Sequence, residues 1–222
     1  MGDRRYIVGV LALALLVAAL PARADSPSGW TWLAGGYLGD IAFRGDSGLA
    51  VGDTILRTTD GGATWRVRDG ITPARLHAVY QLDAARAWAV GTGGTILYTA
   101  DGGETWTAQA SSATATLRDI VFVDAQRGWA VGDAVAQGEV RRATILHTTD
   151  GGITWLPQQA ETEASLWAVA FLDMTHGWAV GTTGTFCYTA DGGETWQVGT
   201  LGTNEDLTAI HFPDPLHGWV AG

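Results

Sequence analysis

The stretch Thr58-Thr59-Asp60-Gly61-Gly62-Ala63-Thr64-Trp65 decides the fold of this 222-residue chain, because the same pattern returns three more times. T-x-D-G-G-x-T-W also occupies residues 99–106, 148–155 and 189–196. The aspartates of successive copies are 41, 49 and 41 residues apart. Repetition at a period of about 40 to 50 residues indicates a chain built from similar structural units.

Each repeat contains two further motifs. The first, [GA]-W-[AV]-[VA]-G, occupies residues 87–91, 128–132, 177–181 and 218–222, and a version without Trp occupies residues 48–52. An apolar segment of the form L-x-x-[VI] precedes each copy. Every full repeat therefore holds four short apolar segments separated by turns rich in Gly or Asp. This arrangement predicts an all-β chain, a β-propeller made of four-stranded antiparallel blades.

The motif positions predict a propeller over residues 25–222 with about four and a half to five blades. The wide spacing of 49 residues is interpreted as a loop insertion at residues 134–142 in the third blade. Gly29-Trp30-Thr31-Trp32 matches the end of the repeated turn, which predicts a lone outer strand at residues 29–33 that completes the last blade. The fifth repeat holds only two strands, so we expect these residues to be part of a larger ring. The predicted blades are residues 38–67, 76–108, 117–157, 166–198 and, in part, 207–222.

Residues 1–24 have the pattern of a signal peptide. Arg4 and Arg5 precede the apolar run of residues 6–20, and Ala22-Arg23-Ala24 forms a typical cleavage site. The run is shorter than the roughly 20 residues that span a bilayer as a helix, although a retained anchor is the alternative. We expect an exported protein of the periplasm or extracellular space, without an integral membrane span after cleavage.

Composition disfavours several classes of function. The chain has 13 basic and 23 acidic residues and a net charge of −10, which disfavours binding to nucleic acid or anionic lipid. A single cysteine, Cys187, excludes an intramolecular disulfide. The five histidines lack the spacing of a metal site, and no nucleophile or phosphate-binding motif is present. The sequence therefore predicts no cofactor, no metal and no catalytic residue.

The repeated residues have a structural interpretation. In a tight hairpin turn, the Asp carboxylate can accept backbone N–H groups, the two Gly tolerate positive φ, and the Trp ring can pack against a neighbouring strand. The alternative, that the aspartates are catalytic acids, is disfavoured because no reaction needs one catalytic residue in every blade. The residues assigned to this structural role are Asp60, Trp65, Asp101, Trp106, Asp150, Trp155, Asp191 and Trp196.

Binding residues are expected where the repeats differ. Between the Leu and the β-branched residue of each first strand lie Gly39-Asp40, His77-Ala78, Arg118-Asp119, Trp167-Ala168 and Thr208-Ala209. First strands of propeller blades line the central channel, so these residues can converge at one mouth of the ring. Ordinary variation at solvated strand ends is the alternative interpretation. The predicted binding residues are Asp40, His77, Arg118, Asp119 and Trp167.

The T-x-D-G-G-x-T-W segments resemble the Asp-box, or BNR repeat, of sialidases. Together with the other two motifs, residues 28–222 look like the photosystem II stability/assembly factor family. The resemblance implies an exported, non-catalytic scaffold that binds a protein partner, located in the thylakoid lumen if the source is photosynthetic. Photosynthetic members bind a newly made reaction-centre subunit and carry an Arg-rich patch, for which this chain offers Arg141 and Arg142, with Arg66 and Arg68 near a turn.

A carbohydrate-active enzyme is the alternative function, with a glycan as its ligand, because sialidases and some endoglucanases carry Asp-boxes in similar propellers. The Arg cluster and Tyr–Glu pair of a sialidase cannot be placed on this sequence. A glycoside hydrolase that uses two carboxylates stays open, since Asp40, Asp119 and Asp133 lie outside the Asp-boxes and can pair across the channel.

Overall fold

The computed structural model describes residues 36–214 and 217–222. The predicted signal peptide at residues 1–24 and the predicted outer strand at residues 29–33 lie outside this part of the chain. Within it, no helix has the length and apolar character needed to cross a membrane.

The described residues form four four-stranded antiparallel sheets and one two-stranded sheet, which confirms the predicted all-β propeller class. Each sheet is one blade, with its strands paired in sequence order. Blade 1 contains β1 (Leu38–Arg44), β2 (Ser47–Gly52), β3 (Ile55–Thr58) and β4 (Arg66–Arg68); blade 2 contains β5 (Leu76–Gln81), β6 (Ala87–Gly91), β7 (Ile96–Thr99) and β8 (Thr107–Ala108); blade 3 contains β9 (Leu117–Phe122), β10 (Gly128–Gln137), β11 (Val140–Thr148) and β12 (Leu156–Gln158); blade 4 contains β13 (Leu166–Phe171), β14 (Gly177–Gly181), β15 (Thr185–Thr189) and β16 (Gln197–Thr200); blade 5 contains β17 (Ala209–Asp214) and β18 (His217–Ala221).

The first strands form the inner wall of the array. β1 packs beside β5, β5 beside β9, β9 beside β13, and β13 beside β17. Because neighbouring strands are antiparallel, the start of each first strand and the turn between the second and third strands lie at the same end. We call this end the upper face. The Asp-box turns, which join the third and fourth strands, lie at the opposite end, the lower face.

Aromatic stacking joins blades 2, 3 and 4. The Trp88 ring of blade 2 stacks on the Phe122 ring of blade 3 with ring centroids 3.7 Å apart, and Trp129 stacks on Phe171 of blade 4 at 3.6 Å. Each indole N–H also donates a 3.1 Å hydrogen bond to the Asp-box of the next blade, Trp88 to Gly151 and Trp129 to Gly192. Second-strand tryptophans therefore bind blade 2 to blade 3 and blade 3 to blade 4.

The Asp-box carboxylates are occupied by their own turns. Asp150 accepts hydrogen bonds from the Thr154 backbone N–H at 2.9 Å, the Thr154 hydroxyl at 2.6 Å and the Thr148 hydroxyl at 2.9 Å. The same three bonds recur at the other Asp-boxes, and they lower the pKa of Asp60 and of Asp191 to about 2. No carboxylate oxygen of these turns is left without a donor.

The interpretation of residues 134–142 as a loop insertion is wrong. They extend the hairpin of β10 and β11, whose pairing continues to Gln137 and Val140. Gly138, with φ of 70°, opens the two-residue turn at the tip. Residues 135–137 pair with residues 140–142 across this turn and satisfy each other's backbone groups, and a projecting β-arm forms on the upper face.

Candidate functional site

Each inner strand of the four complete blades contains a β-bulge near its start. In blade 1, Leu38 pairs with Gly52 and Asp40 with Val51, which leaves Gly39 as the extra residue. A bulge removes one residue from the ladder and redirects its side chain, and bulges are common beside binding sites. In the other three blades the extra residues are His77, Arg118 and Trp167. The four variable positions therefore share one geometry at the upper mouth of the channel.

His77 and Arg118 belong to a polar and aromatic group that spans three blades. Arg118 donates two 2.8 Å hydrogen bonds to Asp133, at the base of the β-arm. The Tyr37 hydroxyl lies 3.5 Å from Nδ1 of His77, and the Arg75 guanidinium lies 4.8 Å above the Tyr37 ring. Nε of Arg75 also donates to a carboxylate in blade 1 at 2.8 Å. We call this group the mouth cluster: Tyr37, Asp53, Arg75, His77, Arg118 and Asp133.

The electrostatics of the mouth cluster favour ligands that accept hydrogen bonds. Burial lowers the pKa of His77, and the charges of Arg118 and Arg75 lower it further, so its ring is neutral at neutral pH. Asp133 raises the pKa of Arg118. Within the described residues, Nη1 of Arg118 and both Nη atoms of Arg75 donate no hydrogen bond to an acceptor. The mouth thus presents guanidinium donors beside a neutral imidazole.

Asp40 and Asp119 have a different role from the bulge residues. Asp40 accepts hydrogen bonds from the backbone N–H groups of Ile41 at 2.7 Å and of Val79 in blade 2 at 2.9 Å. Asp119 does the same with Ile120 and with Val169 in blade 4, both at 2.8 Å. Both side chains line the channel wall one residue beyond the bulge, where each joins two inner strands.

Burial raises the pKa of both channel carboxyls. The pKa of Asp119 reaches about 7, and the negative charge of Asp40 adds to the effect of burial. Of the five residues predicted from sequence, the structure places His77, Arg118 and Trp167 at the mouth, whereas Asp40 and Asp119 hold blades together. The functional role of all five stays a prediction.

Sequence reasoning missed Tyr37, Asp53 and Arg75. Their place in the repeat could have indicated them. Arg75 directly precedes the Leu that starts β5, and Asp53 directly follows β2, so both lie at the upper face. The four arginines suggested as an Arg-rich patch lie apart in the fold. Arg141 and Arg142 are on the β-arm, where Arg142 pairs with Glu161, and the other two are on the outer strand β4.

Comparison with solved structures returns propellers. A structure of YCF48 bound to D1 peptide is 19% identical over 83% of this chain and 74% of that chain, with a TM-score of 0.44. YCF48 from Cyanidioschyzon merolae is 17% identical over 82% of this chain and 91% of that chain, with a TM-score of 0.36. An ancestral GH74 enzyme is 13% identical over 79% of this chain and 27% of that chain, with a TM-score of 0.62. At this identity, the likeness to the GH74 enzyme concerns the fold alone.

Sequence comparison gives the family. No curated protein matches the chain. The family model described as photosynthesis system II assembly factor YCF48 matches residues 34–112, 74–142 and 153–222, which together cover most of the sequence. The matched ranges contain three of the four Asp-boxes in full and the mouth cluster. The chain therefore belongs to the photosystem II assembly factor YCF48 family.

Proposed function

We propose that this chain is a non-catalytic binding propeller whose upper mouth binds an extended peptide segment of a protein partner. One observation carries the proposal: four consecutive inner strands direct their single bulged residue to the same mouth, and that residue differs in every blade. In repeat proteins the constant positions maintain the scaffold, and variable positions on one surface can select a ligand. The bulge residues and the mouth cluster form such a surface.

The chemistry of the mouth suits a peptide. Arg75 and Arg118 supply donors for backbone carbonyls or a carboxylate, and Tyr37 and Trp167 supply aromatic surface for apolar side chains. Arg, Tyr and Trp are also the residue types that contribute most to binding energy at protein interfaces. The β-arm rises beside Arg118 and extends the wall of the mouth.

Family membership supports a protein partner, because the family is named for an assembly factor. YCF48 has been solved with a bound D1 peptide, so at least one propeller of this family accepts a peptide. The partner of the present chain is identified here only by the chemistry of the mouth. We also propose export to the periplasm, the extracellular space or a thylakoid lumen, on the basis of the signal-like residues 1–24.

Glycoside hydrolysis is less well supported. Such enzymes need two carboxyl groups that reach the substrate, one as an acid and one as a base or nucleophile. Both oxygens of Asp40 and of Asp119 accept backbone N–H groups, and Asp133 is bound by the two donors of Arg118. These contacts favour structural roles for the three carboxylates that a hydrolase would use.

Selection from a random peptide library on the immobilised protein tests the proposal. We expect enriched peptides whose affinity falls at least about tenfold in Trp167→Ala and in His77→Ala, as for side chains at the centre of an interface. Leu156→Ala is the matched control, because Leu156 is 65% exposed on the outer strand β12 and should not affect binding. Peptides that bind both mouth variants as tightly as the unmodified chain would contradict the proposal.

A further inference from the structure

We call the interface between two consecutive blades a joint. The joint between blades 1 and 2 lacks the aromatic stack that the next two joints contain. At the joints between blades 2 and 3 and between blades 3 and 4, a second-strand Trp stacks on a Phe at the end of the next inner strand. The corresponding residues between blades 1 and 2 are Leu49 and Gln81, both buried. The aliphatic side chain of Leu49 thus takes the place of the Trp ring, and the polar amide of Gln81 takes the place of the Phe ring.

Buried aliphatic residues of both blades, among them Leu49 and Val79, pack in one cluster across this joint, and charged and polar contacts take the place of the stacked rings. Nε of Arg57 donates to the Gly102 carbonyl at 2.7 Å, the bond that an indole N–H makes at the next two joints. Arg57 and Arg68 also form ion pairs with Glu104 of blade 2, and Gln81 donates to Ser47 at 3.0 Å. Two Arg side chains and one Glu thus make ionic contacts at a joint that has no stacked aromatic pair.

The same joint contains most of the unsatisfied polar atoms of the described residues. Of the four buried side-chain nitrogen and oxygen atoms without a hydrogen-bond partner in this part of the chain, three are Nε of Arg68, Oε1 of Gln81 and Nε1 of Trp106. At the next joint, Gln109 donates to Gly151 at 2.9 Å and accepts from Trp155 at 3.2 Å. Arg68 occupies the equivalent position but has no acceptor to offer Trp106.

We propose that the blade array opens at this joint, so that blade 1 separates from blade 2 in a salt-dependent local opening while the joints on either side of blade 3 stay closed. The stability of a repeat array is approximately the sum of its units and of the interfaces between neighbours, so the weakest interface parts first. Part-exposed ion pairs weaken as salt screens them, whereas stacked rings do not. Because blade 1 carries Tyr37 and Asp53, opening would also remove one wall of the mouth cluster.

Two matched amides report on the two kinds of joint in the unmodified chain. The Val79 N–H donates a hydrogen bond to Asp40 across the joint between blades 1 and 2. The Val169 N–H donates to Asp119 across the joint between blades 3 and 4 at nearly the same distance. Hydrogen exchange of both amides can be followed by NMR and corrected for intrinsic rates. The comparison is made in about 0.01 M and in about 1 M sodium chloride, because the Debye length falls from roughly 30 Å to roughly 3 Å between them. We expect Val79 to exchange at least about tenfold faster than Val169, with a further acceleration in high salt that Val169 does not show.

The matched variant, called the graft, carries the residues of the joint between blades 2 and 3 at the joint between blades 1 and 2. Leu49→Trp, Arg57→Tyr, Arg68→Gln and Gln81→Phe together reproduce the residues of the joint between blades 2 and 3. In the graft, exchange at Val79 should slow towards that of Val169 and lose its salt dependence. Equal exchange of the two amides at both salt concentrations in the unmodified chain, or faster exchange at Val169, would overturn the proposal whether or not the graft folds.

Discussion

The Asp119 carboxylate of blade 3 accepts the backbone N–H of Val169 in blade 4 at 2.8 Å, and Asp40 of blade 1 makes the corresponding bond to Val79 of blade 2 at 2.9 Å. Ala78 and Ala168 occupy the equivalent positions in blades 2 and 4. A carboxylate therefore links the inner strands of neighbouring blades at alternate joints. The bulge residue of each of these blades is one residue away, so the proposed binding at the mouth depends on the inner wall.

The burial of Asp119 makes stability depend on pH, because burial raises the pKa of this carboxyl. The pKa of Asp119 is about 7 in the folded chain, against about 3.9 in an unfolded chain. A raised folded-state pKa stabilises the fold fully below the unfolded pKa, and this contribution is lost as the pH rises from about 4 through about 7. We expect the unmodified chain to lose about 4 kcal/mol more unfolding free energy than Asp119→Asn between pH 4 and pH 8. Urea unfolding of both proteins at the two pH values measures this, and parallel pH profiles would refute it.

Arg68→Gln is expected to stabilise the chain. The new amide can accept the indole N–H of Trp106 and donate to the Gly102 carbonyl, as Gln109 does at the next joint. We expect a gain of about 1 kcal/mol in unfolding free energy, since the lost ion pair with Glu104 is partly exposed and contributes little.

The reverse exchange is the control for Arg68→Gln. Gln109→Arg leaves Nε1 of Trp155 without its acceptor and should lower the unfolding free energy by about 1 to 3 kcal/mol. Denaturant unfolding of both variants decides the matter. A loss of stability in both variants would show that a glutamine at position 68 does not make the stabilising contacts that Gln109 makes.

Thr183 is strained. It is the one non-glycine residue with positive φ in the described chain, at φ 56° and ψ 37°. The equivalent turn of blade 2 has Gly93 at that position, with φ 67°. Thr183→Gly should therefore raise the unfolding free energy by about 0.5 to 1 kcal/mol, and Gly93→Thr should lower it by a similar amount. Thermal unfolding of the pair checks this, and a loss of stability on Thr183→Gly would be inconsistent with strain at this turn.

The repeats made much of the scaffold predictable. Aligned copies identify the second-strand tryptophans and place Cys187 at a third-strand position otherwise held by leucine, and Cys187 is fully buried. A second repeated turn was readable but missed: an Asp accepts the N–H of the residue three positions later and contacts its side chain. These pairs are Asp83 with Arg86, Asp124 with Arg127, Asp173 with His176 and Asp214 with His217.

The mouth was less predictable than the scaffold, because its geometry depends on register and on neighbouring blades. Alternation of apolar residues does not show which residue is extra in a bulged strand, so His77 and Asp40 looked alike in sequence. Gly39 illustrates the second cause. A Cβ at Gly39 would lie 2.8 Å from the His77 carbonyl oxygen, a contact between two strands that are far apart in the sequence.

The most direct test of the central claim is a hydrogen-exchange footprint of the unmodified chain with and without a peptide selected on it. If the bulged mouth binds the partner, protection should appear at residues 37–40, 75–78, 117–119 and 166–168, and not at the Asp-box turns on the lower face. Protection confined to the Asp-box turns or to the outer strands, with the mouth unchanged, would contradict the claim.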